Sequence, residues 1–231
     1  MQPPQLKLNG AYKRSIFCGK IINNMQYLLS KRWFLFFETA YLIVIPIYLL
    51  SFLSSVWVML GSLLYVGGFI VALRLHVADL GLTKNNFIPA LHKVIPVSIV
   101  SAALLISLGA LGVRVGMFSK IIEGIVGNGK VVGLLVYMLM SAPLQEIIFR
   151  GYYIKRLEYL SKNEWFLKLW SAGLFAAVHI PFGNAYLVFV CFLYSIWAAG
   201  IFIKYRNLYA IMIAHAFIGG AEIVRQIMIM G

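Results

Sequence analysis

The run Pro143-Leu144-Gln145-Glu146-Ile147-Ile148-Phe149-Arg150-Gly151 sets an amide, an acid and a guanidinium inside an apolar stretch that begins near Val131. Glu146 and Arg150 are four residues apart, so on a helix they share a face and can pair. A stretch of this kind reads as a membrane-spanning helix. An ionisable residue there is costly and marks a functional site whose partners must be found. The first partner is Arg150, and the next polar groups in apolar surroundings are His179 and His215.

The rest of the chain has the same character. Of 231 residues, 62% are hydrophobic and only 12% are charged, and the mean hydropathy is +0.89. This is the composition of an integral membrane protein. No composition break divides it, so one domain is expected over 33–231. It is preceded by a basic cytoplasmic tail, 1–32, with a candidate interfacial helix around Ile16–Leu29. The N-terminus lacks a short apolar region followed by a small-residue cleavage site, so the first span is expected to be retained.

A net charge of +13 does not point to nucleic acid. The basic residues are dispersed between apolar runs, where they set topology and meet anionic headgroups. Membrane lipids are therefore expected partners. Cys18 and Cys191 have no CxxC or CxxH spacing, so neither a disulfide framework nor a thiolate metal site is indicated.

The apolar runs are too long for strands and lack period-two alternation, which predicts an all-α, polytopic transmembrane helical bundle. About seven spans are expected, with an eighth re-entrant or interfacial segment as the alternative. The first runs from about Trp33 to Leu53 and the second to about Leu73. The third covers roughly Val94 to Val113, and the fourth starts near Val131. The last three start near Trp165, Ala185 and Leu208. A mixed connector, Arg74 to Lys93, and a Gly-rich loop from Gly116 to Gly129 flank the third span.

With this segmentation, 16 of the 20 Lys and Arg residues fall on one side; the 4 on the other are Arg114, Lys120, Lys130 and Arg225. Excess positive charge marks the cytoplasmic side, so the N-terminus is expected inside and the C-terminus outside. Glu146 then lies 9 residues before Lys155, His179 lies 11 after Lys168, and His215 lies 9 after Arg206. At about 1.5 Å per residue all three sit at roughly half the hydrocarbon thickness. Either His alone reads as a packing residue bonded to a carbonyl, and the Glu146–Arg150 pair alone as a register device. Their common depth makes one joint site the better reading. Arg74, His76, Asp79 and His92 read as interfacial groups, and the Met and aromatic residues as lipid-facing or packing material.

Three chemistries suit a Glu and two His. Around a metal, Glu146, His179 and His215 would form a His₂Glu zinc set with an open water position. Without a metal, a carboxylate and an imidazole can deprotonate a shared water while the second His donates to an oxyanion. The third is a proton or ion relay in a transporter, although no paired inverted repeats are evident.

Three motifs add a resemblance. Ser141-Ala142-Pro143-Leu144-Gln145-Glu146-Ile147-Ile148-Phe149-Arg150-Gly151 resembles the EExxxR motif of the CAAX-protease and bacteriocin-processing (CPBP, or Abi) family. Phe175-Ala176-Ala177-Val178-His179 resembles its FxxxH motif, and the segment from Asn207 through His215 its HxxxN motif. The likeness covers about residues 80–222. It implies an all-helical intramembrane endopeptidase, glutamate-dependent and without a required metal, in the plasma membrane of a bacterium. It also implies a membrane-anchored or leader-bearing peptide substrate.

By that resemblance Glu146 would activate water with His179, Arg150 would hold Glu146 ionised, and His215 with Gln145 would polarise the scissile carbonyl. Two positions depart from the motifs. Gln145 replaces the first Glu, and Gly219 stands at the motif's Asn and lacks its amide. A Gln can orient water but cannot take its proton, so Glu146 is expected to be the base. The competing readings are a catalytically degenerate relative acting as a binding or immunity protein and, further off, the transporter or proton relay.

Overall fold

The computed structural model describes residues 32–49, 55–114 and 129–230. The basic tail with its candidate interfacial helix, and most of the Gly-rich loop, lie outside the described residues. Among the described residues seven helices follow in order: α1 Arg32–Leu49, α2 Ser55–Ala72, α3 Phe87–Ala110, α4 Lys130–Leu157, α5 Glu164–Ala177, α6 Ala185–Tyr205 and α7 Leu208–Met230. A 3₁₀ turn, Ile180–Phe182, continues α5. There is no strand among the described residues, so the all-helical class expected from the apolar runs is the class observed.

Five of these segments are long and apolar enough to cross a membrane: α3, α4, α5 with its 3₁₀ turn, α6 and α7. The first two, α1 and α2, have 18 residues each. At about 1.5 Å per residue they reach roughly 27 Å, near the lower limit for a crossing. Helix α3 starts at Phe87 rather than near Val94. Pro89, inside the connector expected to run to Lys93, falls in the first turn of α3, where a backbone N–H has no intrahelical acceptor to lose.

Asparagine starts each of the last three helices. Asn163 Oδ1 accepts from Phe166 N at 3.0 Å, Asn184 Oδ1 from Leu187 N at 3.0 Å and Asn207 Oδ1 from Ala210 N at 3.1 Å. These are N-caps, each satisfying an orphan donor of the first turn. Asn207 does more, because its Nδ2 donates to Thr83 O at 2.7 Å and Asn85 O at 2.9 Å. Together with Leu208 N donating to Gly81 O at 2.8 Å, this clamps the α2–α3 connector to the start of α7.

The connector also crosses α4 at Gly151. A Cβ there would lie 3.0 Å from Leu80 O and 3.2 Å from Leu208 Cδ2, so the residue after Arg150 has to be small. Helix α7 packs most extensively on α3 and also crosses α4, while α6 packs on α5. Helices α2, α5 and α7 pack against the helix that carries the polar stretch read first in the sequence.

A second buried charge cluster ties α1 to the end of α4. Glu38, 1% exposed, accepts from Arg156 Nε at 2.9 Å and Nη2 at 2.8 Å, and from the Tyr152 hydroxyl. Arg156 is fully buried. In the sequence it was one of the charges marking a cytoplasmic boundary; in the fold it is the inward half of a two-pronged ion pair, the geometry a guanidinium favours.

Candidate active site

Helix α4 is not one continuous α-helix. Its central turn, Ala142–Glu146, is bracketed by π-helical segments Tyr137–Ser141 and Ile147–Tyr152. The first has a local cause. Pro143 has no N–H, and its ring crowds the carbonyl four residues back, so the helix widens just ahead of it. Widened turns of this kind recur at functional sites because they re-aim side chains. Arg150 lies in the second widened segment, and its Nη1 still reaches Glu146 Oε1 at 3.1 Å.

Glu146 is fully buried, and one of its oxygens is saturated. Oε1 takes Arg150 Nη1 from its own helix, His215 Nδ1 of α7 at 2.6 Å and the Tyr194 hydroxyl of α6 at 3.2 Å. Oε2 is buried and has no hydrogen-bond partner among the described residues. The same holds for Gln145 Oε1, while Gln145 Nε2 donates to Ser141 Oγ at 3.0 Å. Buried polar atoms are normally satisfied. Two unsatisfied oxygens on adjacent residues therefore mark a place for a molecule that donates hydrogen bonds.

Phe175, 1% exposed, is the apolar centre around which the polar groups are set. The Arg150 guanidinium carbon lies 4.3 Å from its ring centre, and the His179 and His215 rings lie 4.8 and 5.7 Å away. Tyr194 covers the guanidinium from a second side at 5.3 Å. Aromatic faces attract a cation while excluding water, which lets Arg150 be buried beside a single carboxylate.

His179 lies beyond the α-helical part of α5, which ends at Ala177. Its Nδ1 is 2.7 Å from Phe175 O. A carbonyl only accepts, so Nδ1 carries the hydrogen and Nε2 keeps a lone pair in the neutral ring. The fold thus brings Glu146, Arg150 and His215 into direct contact and groups His179 with them around Phe175, without a hydrogen bond from His179 to Glu146. His215 Nδ1 is directed to Glu146, and one of Gln145's amide hydrogens is directed to Ser141.

Tyr194 is the site residue that sequence reasoning missed. It was classed with lipid-facing and packing aromatics, since hydropathy does not separate a Tyr that faces lipid from one that donates inward. Among the described residues no group of three or more His, Cys, Asp or Glu side chains is placed to hold a metal ion. Glu146 Oε1 and His215 Nδ1 are also spent on each other.

Fold and site together define a polytopic helical membrane protein with a buried Glu–His–Arg centre held by four helices. Residues 127–220 match the family model described as type II CAAX prenyl endopeptidase Rce1-like. The matched segment runs from the start of α4 past His215 and contains all five candidate site residues. Motifs and family match agree over this segment, which is similar to the CAAX-protease family. Neither a curated protein nor a solved structure matches the chain.

Proposed function

We propose that the protein is an intramembrane endopeptidase that hydrolyses a peptide bond in a membrane-anchored peptide, with Glu146 as the base. One observation carries this reading. Glu146 Oε1 takes three donors while Oε2, equally buried, has none among the described residues. Three donors on one oxygen fix the direction of the carboxylate. The other oxygen is then a preset proton acceptor for a water in the cleft.

In this reading the water donates one hydrogen to Glu146 Oε2 and the other to Gln145 Oε1. As its oxygen attacks, the new C–O bond forms at the carbonyl carbon, the π pair moves onto the carbonyl oxygen, and Glu146 takes the proton. Collapse reforms the carbonyl and breaks the C–N bond, and Glu146 returns the proton to the leaving amine. Arg150, His215 and Tyr194 keep Glu146 in place throughout. No step is routed through a metal.

The test is cleavage in proteoliposomes, in chelator, of two probes: a farnesylated CAAX peptide, as the family description suggests, and a non-prenylated leader-bearing peptide. Glu146→Gln keeps the shape and the Arg150 contact but loses the acceptor. It is expected to lower kcat by at least about 10²-fold, the usual scale for a general base, with the thermal unfolding of the protein unchanged. Wild-type inactivity on both probes, with a biological activity indifferent to Glu146→Gln, would establish the degenerate binding protein instead.

A further inference from the structure

The hydrogen-bond inventory of the site is rich in acceptors. Glu146 Oε2 and Gln145 Oε1 are acceptors, and so is the Nε2 of a neutral His179. When His215 donates Nδ1–H to Glu146, its neutral Nε2 accepts as well. The Tyr194 hydroxyl is used on Glu146, and the Arg150 guanidinium is covered by Phe175 and Tyr194. Acyl transfer needs a donor where negative charge develops on the carbonyl oxygen, and the donors left over here, Arg150 Nε and Nη2 under the aromatic rings and one hydrogen of the Ser141-bound Gln145 amide, do not offer a hydroxyl that can turn toward it.

Tyr137 does. It lies in the first widened segment of α4, half-buried, with its ring edge-on to His215 at 6.2 Å between centres. Its hydroxyl has no hydrogen-bond partner among the described residues. The hydroxyl lies where a Cβ on Gly219 would be, and that Cβ would also stand 2.7 Å from Tyr137 Cζ and 2.9 Å from Cε1. Gly219 is four residues after His215, so both lie on the same face of α7. The absent side chain at 219 is therefore a notch, and the Tyr137 hydroxyl fills it one turn from His215.

We propose that Tyr137 is the oxyanion donor of this site, its O–H binding the carbonyl oxygen as the π pair moves onto it and releasing it when the carbonyl reforms. The hydroxyl keeps its proton throughout and forms no covalent bond. The inference rests on the endopeptidase reading, and it makes Gly219 a requirement of the design, since any side chain there would displace the donor.

The experiment compares wild type, Tyr137→Phe, Gly219→Ala and the double variant in proteoliposomes. The first readout is kcat and KM on the farnesylated CAAX peptide. The second is binding of that peptide and of its phosphinate analogue, in which a tetrahedral P–O⁻ group replaces the bond after the prenylated cysteine. Tyr137→Phe is expected to lower kcat by about 10²- to 10³-fold with KM nearly unchanged, the scale of losing one oxyanion donor. It should weaken phosphinate binding by a similar factor and leave parent-peptide binding alone.

Gly219→Ala should reproduce the loss by pushing the hydroxyl aside, and the double variant should be little worse than either single one. Tyr137→Phe cleaving within about threefold of wild type, or weakening phosphinate and parent peptide equally, would overturn the proposal. If wild type cleaves nothing, the endopeptidase reading has failed. The phosphinate preference and its loss in Tyr137→Phe, or their absence, still decide the role of Tyr137.

Discussion

Glu146 Oε1 and His215 Nδ1 are 2.6 Å apart, although 69 residues separate them in the chain. A contact this short between a carboxylate and an imidazole, on two helices and away from water, fixes the rotation of α7 about α4. It also assigns the two carboxylate oxygens different work. In the proposed reaction Oε1 belongs to the scaffold, and Oε2 takes the proton.

Tyr194→Phe separates these two kinds of work. It removes one of three donors to Oε1 and leaves the ring beside Arg150. A buried hydrogen bond to a charged group contributes about 1.5–3 kcal/mol, which corresponds to a drop of about 10- to 100-fold in kcat if Glu146 loosens. Substrate KM should stay put, because Tyr194 is directed at the base. Steady-state cleavage in proteoliposomes measures both, and an unchanged kcat would show that Arg150 and His215 alone hold the carboxylate.

Gln145 is expected to matter less than Glu146. Gln145→Ala removes one water-orienting acceptor, worth about 1–3 kcal/mol at most, so cleavage should fall moderately and remain measurable. Gln145→Glu sets a second carboxylate beside the first in a buried site. The two carboxylates repel each other where water cannot screen them, so the rate should fall. A Gln145→Ala variant as dead as Glu146→Gln would contradict this ranking.

The Glu38–Arg156 pair predicts an effect on stability. Glu38→Ala leaves a fully buried guanidinium without its carboxylate, a change that typically costs about 3–5 kcal/mol. The unfolding temperature in detergent should fall clearly. Glu38→Ala combined with Arg156→Met should regain most of the loss, since a pair of apolar side chains avoids the desolvation penalty altogether. If the double variant is as unstable as the single one, the pair's value lies in packing and not in charge.

Topology is tested apart from chemistry. The 16-to-4 distribution of Lys and Arg predicts that a reporter fused after residue 160 reads cytoplasmic and one after residue 183 reads external. A reversed pair of readings would invert the orientation inferred from charge and move the site relative to the two sides of the membrane.

The sequence alone determined the membrane class, the helical fold and the groups worth watching. Hydropathy is a property of local composition, and a run such as 131–149 can satisfy its backbone in hydrocarbon only as a helix. The i,i+4 spacing of Glu146 and Arg150 and the three motifs are likewise local, and the fold keeps them. What the tertiary structure decided was who meets whom. His215 rather than His179 bonds to Glu146. Tyr194 reaches the same oxygen from 48 residues away, and Glu38 finds Arg156 across 118. Tyr137 faces a glycine one turn past His215. Those contacts depend on how the helices cross and on the widened turns that rotate α4 around Pro143. An aromatic residue contributes the same hydropathy whether it faces lipid or a buried carboxylate, so no linear pattern could have separated the two.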